Sequence, residues 1–85
     1  MAYIMKAGAP IASVEPKNGT DFSLEELQKI VGGYIEIVNV NEEYIMVVNE
    51  EGKLLGLPAN PSATIIARQG LIVGDVLVCR REEVK

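Results

Sequence analysis

Apolar residues along this chain recur with two periods. Between Phe22 and Gly33 the period is helical: Leu24, Leu27, Ile30 and Val31 fall on one side at spacings of three and four. Ser23 followed by Glu26 is a capping box, and Phe22 with Leu27 is placed to form the accompanying hydrophobic staple. Glu25 and Lys29 form an i,i+4 pair on the outer side. Gly32 is positioned as a left-handed C-terminal cap, and Gly33 lets the chain reverse. The main helix is therefore expected over about 23–31.

Elsewhere the pattern is that of strands. Residues 2–7 read as a first strand and 11–16 as a second, an edge strand because Pro16 lacks an N–H for a ladder. Asn18-Gly19 marks a turn between them and the helix. Residues 34–40 and 44–48 are β-branched runs separated by a short polar stretch. They are expected to pair antiparallel and, being apolar on both faces, to be central. Asn49 to Gly52 fits a type I turn with Gly52 left-handed, returning into a third strand at Lys53 to Leu55. Asn60 suits an N-cap and Pro61 the first helical position, so a short helix is expected near 61–68, closed by Gly70. A last strand is expected over 76–80, with a frayed charged tail after it. The expected fold class is α+β: a small antiparallel or mixed β-sheet with the main helix packed on one face, in a single domain spanning 1–85.

Composition narrows the chemistry. The chain has 85 residues, of which 48% are hydrophobic, with Tyr3, Phe22, Tyr34 and Tyr44 the only aromatics. The core must be aliphatic. The formal net charge is −4 and the basic residues are scattered, apart from Arg80-Arg81. Duplex nucleic acid, which requires a cationic surface, is not an expected partner. The one cysteine, Cys79, reads as a small buried hydrophobe. No apolar run approaches the ~20 residues of a membrane span, and no signal-peptide pattern opens the chain. The expectation is a protein of the host cell cytosol, in the cytoplasm, with no membrane partner.

There is no histidine. That removes the commonest general base and the commonest zinc ligand. The pairs Glu42-Glu43, Glu50-Glu51 and Glu82-Glu83 read as solvated turns rather than a metal site. No cofactor and no catalytic residue is expected, although a small hydrolase using Glu50 or Asp75 stays open as the third reading.

The polar residues that stand out are Asn49, Glu50, Lys53, Asn60 and Thr64, at a hairpin and a helix start. Turn amides and helix N-termini hold anions without positive side chains. With Gly32, Gly33 and Tyr34 they form the candidate ligand site. Each has a structural reading too, and it weighs more: Asn60 as a cap, Asn49 in an Asx-turn, Thr64 bonded to a carbonyl, Gly32 as a helix cap.

The stretches LQKIVGGYIEIV, VVNEEGKLLGLPANPSAT and GDVLV, from about Leu27 to Val78, resemble the domain-of-unknown-function 3846 family. That resemblance implies a small accessory protein of a phage, plasmid or other mobile element. By analogy with such settings, the leading expectation is a non-enzymatic binding module that sequesters a small nucleotide signal of host defence. The alternative is a protein–protein interaction module that inhibits a host factor, its acidic surface facing a basic partner. Either is expected to be a homo-oligomer, because so small a β-rich domain has more apolar surface than one chain covers.

Overall fold

The structure, a computed structural model, describes residues 2–84. The chain runs β1 (Ala2–Met5), β2 (Ala12–Val14), α1 (Leu24–Val31), β3 (Ile35–Asn39), β4 (Tyr44–Asn49), α2 (Pro61–Ala67) and β5 (Val76–Arg80), ending in a 3-10 turn at Arg81–Glu83. The strands form one antiparallel sheet in the order β2-β1-β5-β4-β3. This is the expected α+β class. The last strand inserts between the first and the fourth, and α1 carries the chain from one edge of the sheet to the other.

Each face of the sheet carries one helix and one apolar cluster. Along β4, Ile45 and Val47 face α1 while Met46 and Val48 face α2. Met46 and Val47, on opposite faces, are both fully buried. The α1 face packs Phe22, Leu27, Val31, Leu77 and Cys79 into one cluster. The α2 face packs Met5, Ala63, Ala67, Ile72 and Val76 into another. Each buried aliphatic side chain contributes ~2 kcal/mol of transfer free energy.

Helix α1 follows its sequence closely. The Ser23 hydroxyl accepts from Glu26 N–H and the Glu26 carboxylate accepts from Ser23 N–H, closing the capping box. Gly32 ends the helix with φ 82° and its N–H donates to the Gln28 carbonyl. Phe22 and Leu27, the staple pair, are both buried. Leu24 departs from the expectation. It sits at the first turn and is 58% exposed.

Five further expectations are corrected. Residues Lys53 to Leu55 are not a strand. They lie in a run of turns, where Leu55 N–H donates to Glu51 and Leu57 N–H to Gly52. Gly52 is not left-handed; Gly56 is, with φ 68°. Gly52 is instead required for space, since a Cβ there would lie 2.8 Å from Val73 Cγ2. Strand β3 is an edge rather than central, because β5 arrives on the far side of β4. The tail is not frayed up to Val84: Phe22 N–H donates to the Glu83 carbonyl at 2.6 Å and Val84 bridges Phe22. Lys85 lies outside the described residues. Helix α2 spans Pro61–Ala67, within the expected bounds, but it is closed by Arg68 in the left-handed region rather than by Gly70.

Candidate functional site

The two asparagines are buried and fully engaged. Asn60 is 1% exposed. Its Oδ1 accepts from Ala63 N–H, capping α2, and its Nδ2 donates to the carbonyls of Met5 and Gly74 at 2.8 and 2.9 Å. One side chain thus ties the helix start to β1 and to the turn before β5. Thr64, one turn on, donates to the Asn60 carbonyl and accepts from Ile72 N–H, both at 2.9 Å. Asn49 donates from Nδ2 to the Val31 carbonyl at 3.1 Å and accepts at Oδ1 from Glu51 N–H. It closes the end of α1 against the end of β4.

The glycines serve the same junction. Gly32 and Gly33 both donate to the Gln28 carbonyl. A Cβ on Gly33 would stand 3.1 Å from Asn49 Nδ2, so glycine there lets the α1 end meet Asn49. Tyr34 is exposed, and its carbonyl accepts from Glu50 N–H at 2.9 Å. The expected site residues therefore separate into groups. Buried Asn60 and half-buried Thr64 form a hub at the start of α2. Gly32, Gly33 and Asn49 form a junction beside it. Glu50 and Lys53 are exposed and face a cleft.

That cleft, about 280 Å³, opens on the α2 face between strands β3 and β4 and the loops on either side of α2. Val38, Val48 and Ile72 form its less exposed floor, and the exposed Glu36, Glu50 and Lys53 stand at its rim. Leu54 and Leu71 flank it, 87% and 53% exposed. Glu36, Val38 and Leu71 were not singled out by sequence reasoning. The one available signal was the break in IEIV, where a glutamate interrupts an apolar strand and so points to a solvent-facing position.

Electrostatics at the ends of the chain is local. Arg81 donates to the Asn39 side chain and to the carbonyls of Asn41 and Glu42, clamping the β3–β4 turn. Arg80 pairs with Glu43 at 3.2 Å and lies over the Tyr44 ring. Burial, reinforced by the Glu83 charge, pushes the Cys79 thiol up to about 11. That keeps it protonated at neutral pH and unreactive. Among the described residues, no group of three or more acidic or cysteine side chains is placed to hold a metal ion. Nor is any helix among them long and apolar enough to cross a membrane.

The molecule is thus a small α+β domain built on one antiparallel sheet, with an apolar-floored cleft beside an edge strand. Residues 2–85 match the family described as Domain of unknown function (DUF3846), and the chain belongs to that family. No curated protein and no solved structure matches it.

Proposed function

We propose that this protein is a non-enzymatic binding module that takes an apolar, basic segment of a protein partner in the β3–β4 cleft. The observation that carries this reading is the pairing of an aliphatic floor (Val38, Val48, Ile72) with a rim bearing Glu36 and Glu50, on a chain of net charge −4. Such a cleft favours aliphatic side chains flanked by Lys or Arg. In the mobile-element setting that the family resemblance implies, the module would inhibit a host factor.

The small-nucleotide reading finds less support at the same place. A phosphate held by an acidic protein needs free amides, and several of those beside the cleft are engaged. Glu50 N–H donates to Tyr34, and Glu51 and Gly52 both donate to Asn49. At the start of α2, Ala63 and Thr64 N–H both donate to Asn60. Lys53 is the cation that the cleft offers a phosphate, and two carboxylates oppose it.

Selection from a random peptide library, followed by calorimetry, tests the proposal. The expected peptides combine aliphatic with Lys or Arg residues and bind more weakly as salt rises. Binding should fall about tenfold or more in a Glu36→Lys, Glu50→Lys double variant. Peptides that bind this variant equally well would defeat the reading. So would native mass spectrometry showing a stoichiometric nucleotide that the double variant retains.

A further inference from the structure

The sheet ends in two unlike edges. Strand β2 has three residues and lies between Pro10 and Pro16, which deny a neighbour their N–H groups. Strand β3 has five, Ile35–Asn39, without proline or lysine. Its only charge is Glu36, on the cleft face. Long, apolar, unprotected edges are templates for a further strand.

The groups that β3 presents follow from its pairing with β4. Glu50 N–H bonds Tyr34 and Val40 N–H bonds Tyr44, so the even residues of β3 exchange hydrogen bonds with β4. The N–H and C=O groups of Ile35, Ile37 and Asn39 therefore point outward. The Asn39 carbonyl accepts from the Gln69 side chain and retains a second lone pair. Ile37, on the α1 face, is 42% exposed.

We propose that β3 pairs antiparallel with β3 of a second copy, about a two-fold axis through Ile37, joining two sheets into one. The occupant is a second copy because the strand is complementary to itself in one register. Outward residues must face outward residues. With Ile37 opposite Ile37, all five residues pair, Ile35 faces Asn39, and Glu36 lies beside Val38. Sliding to set Ile35 opposite Ile37 would bring Glu36 directly against Glu36, a like-charge pair that destabilises. Sliding the other way leaves Ile35 unpaired within the strand.

The two clefts then open on the same sheet face, with Glu36 and Val38 of each beside Val38 and Glu36 of the other. The partner copy thereby contributes to each site. One pair of five-residue strands covers less than the ~1,200 Å² of a standard interface, so the association should be concentration-dependent.

Sedimentation equilibrium from about 10 μM to about 1 mM tests this directly. The wild-type chain should shift from monomer to dimer over that range. Ile37→Pro removes an outward N–H that β4 does not use, and Ile37→Lys places two like charges at the axis; both should stay monomeric. If Ile37→Pro fails to fold, the surface change Ile37→Lys carries the test. Amide exchange gives a second readout: Ile35 and Ile37 should gain protection with concentration, while Glu36 and Val38 are protected throughout. A monomer across the whole range, or a dimer that Ile37→Lys leaves intact, would overturn the proposal. Peptide capture by the cleft is read separately, so either idea can fail alone.

Discussion

The two faces of the sheet are closed by different means. On one, the eight residues of α1 lie over an apolar cluster and carry a complete capping box. On the other, the seven residues of α2 are anchored by the buried amide of Asn60, and part of the sheet stays open as the cleft. An apolar cover excludes water from the area it spans. A polar anchor holds an element by a few directed bonds and lets the remaining surface serve another purpose.

The sharpest way to break this comparison is to remove each anchor in turn. Asn60→Ala deletes the α2 cap, leaves the Gly74 carbonyl without its donor, and removes the second donor of the Met5 carbonyl, which also pairs with Val76 in the ladder. A lost cap costs ~1 kcal/mol and an unsatisfied buried group ~1–3 kcal/mol, so the total should be about 3 kcal/mol. Leu27→Ala, the matching lesion under α1, should cost about 3 kcal/mol. Urea unfolding of the two variants, with no ligand present, measures both. If Asn60→Ala cost under about 1 kcal/mol, the amide would not be an anchor, and a role for Asn60 outside folding would regain weight.

The α1 face was far more legible in the sequence than the α2 face. The capping box, the staple and Gly32 are signals carried within twelve residues, and the structure realises each one. Asn60 and Pro61 were equally legible as a helix start. The bonds from Asn60 to Met5 and Gly74 were not, because nothing near residue 60 records which carbonyls the fold brings to it. The edge position of β3 was hidden for the same reason. It is decided by β5 docking between β1 and β4, some forty residues away in sequence. The run from Lys53 to Leu55 read as a strand by composition, but Leu54 and Leu55 lie exposed in turns beside the cleft. Local patterns specify elements; the cleft is a product of topology.

A pH series sharpens the contrast between the faces. Hydrogen bonds from the backbone N–H of Ser23, then of Lys17, hold the Glu26 carboxyl below its ordinary value of 4.5. A depressed carboxyl contributes stability above its unfolded-state value and loses it as pH falls through the folded-state value. Stability of the wild type should therefore decline below about pH 4.5, with the α1 amides the first to lose exchange protection. Asn60 does not titrate, so the α2 anchor should hold through the same window. Glu26→Gln should flatten this part of the pH dependence, and Ser23→Ala should cost about 1 kcal/mol at neutral pH. A pH profile that Glu26→Gln leaves unchanged would place the acid-sensitive group elsewhere.

The smallest effect concerns how the two helices stop. Helix α1 ends on Gly32 at φ 82°, whereas α2 ends on Arg68 at φ 56°, ψ 27°. Both caps donate their N–H back into the helix, Gly32 to Gln28 and Arg68 to Thr64, so the geometry is shared and only the residue differs. A side chain in the left-handed region costs ~1–2 kcal/mol that glycine avoids. Glycine in turn adds ~0.4–1 kcal/mol of unfolded-chain entropy. Arg68→Gly should therefore stabilise the fold by about 0.5 kcal/mol, seen as a higher urea midpoint with an unchanged slope. A variant no more stable than the wild type would mean that the Arg68 side chain offsets its own backbone strain. In that case the end of α2, like its start, would be held by a polar side chain, and the difference between the faces would extend along the whole helix.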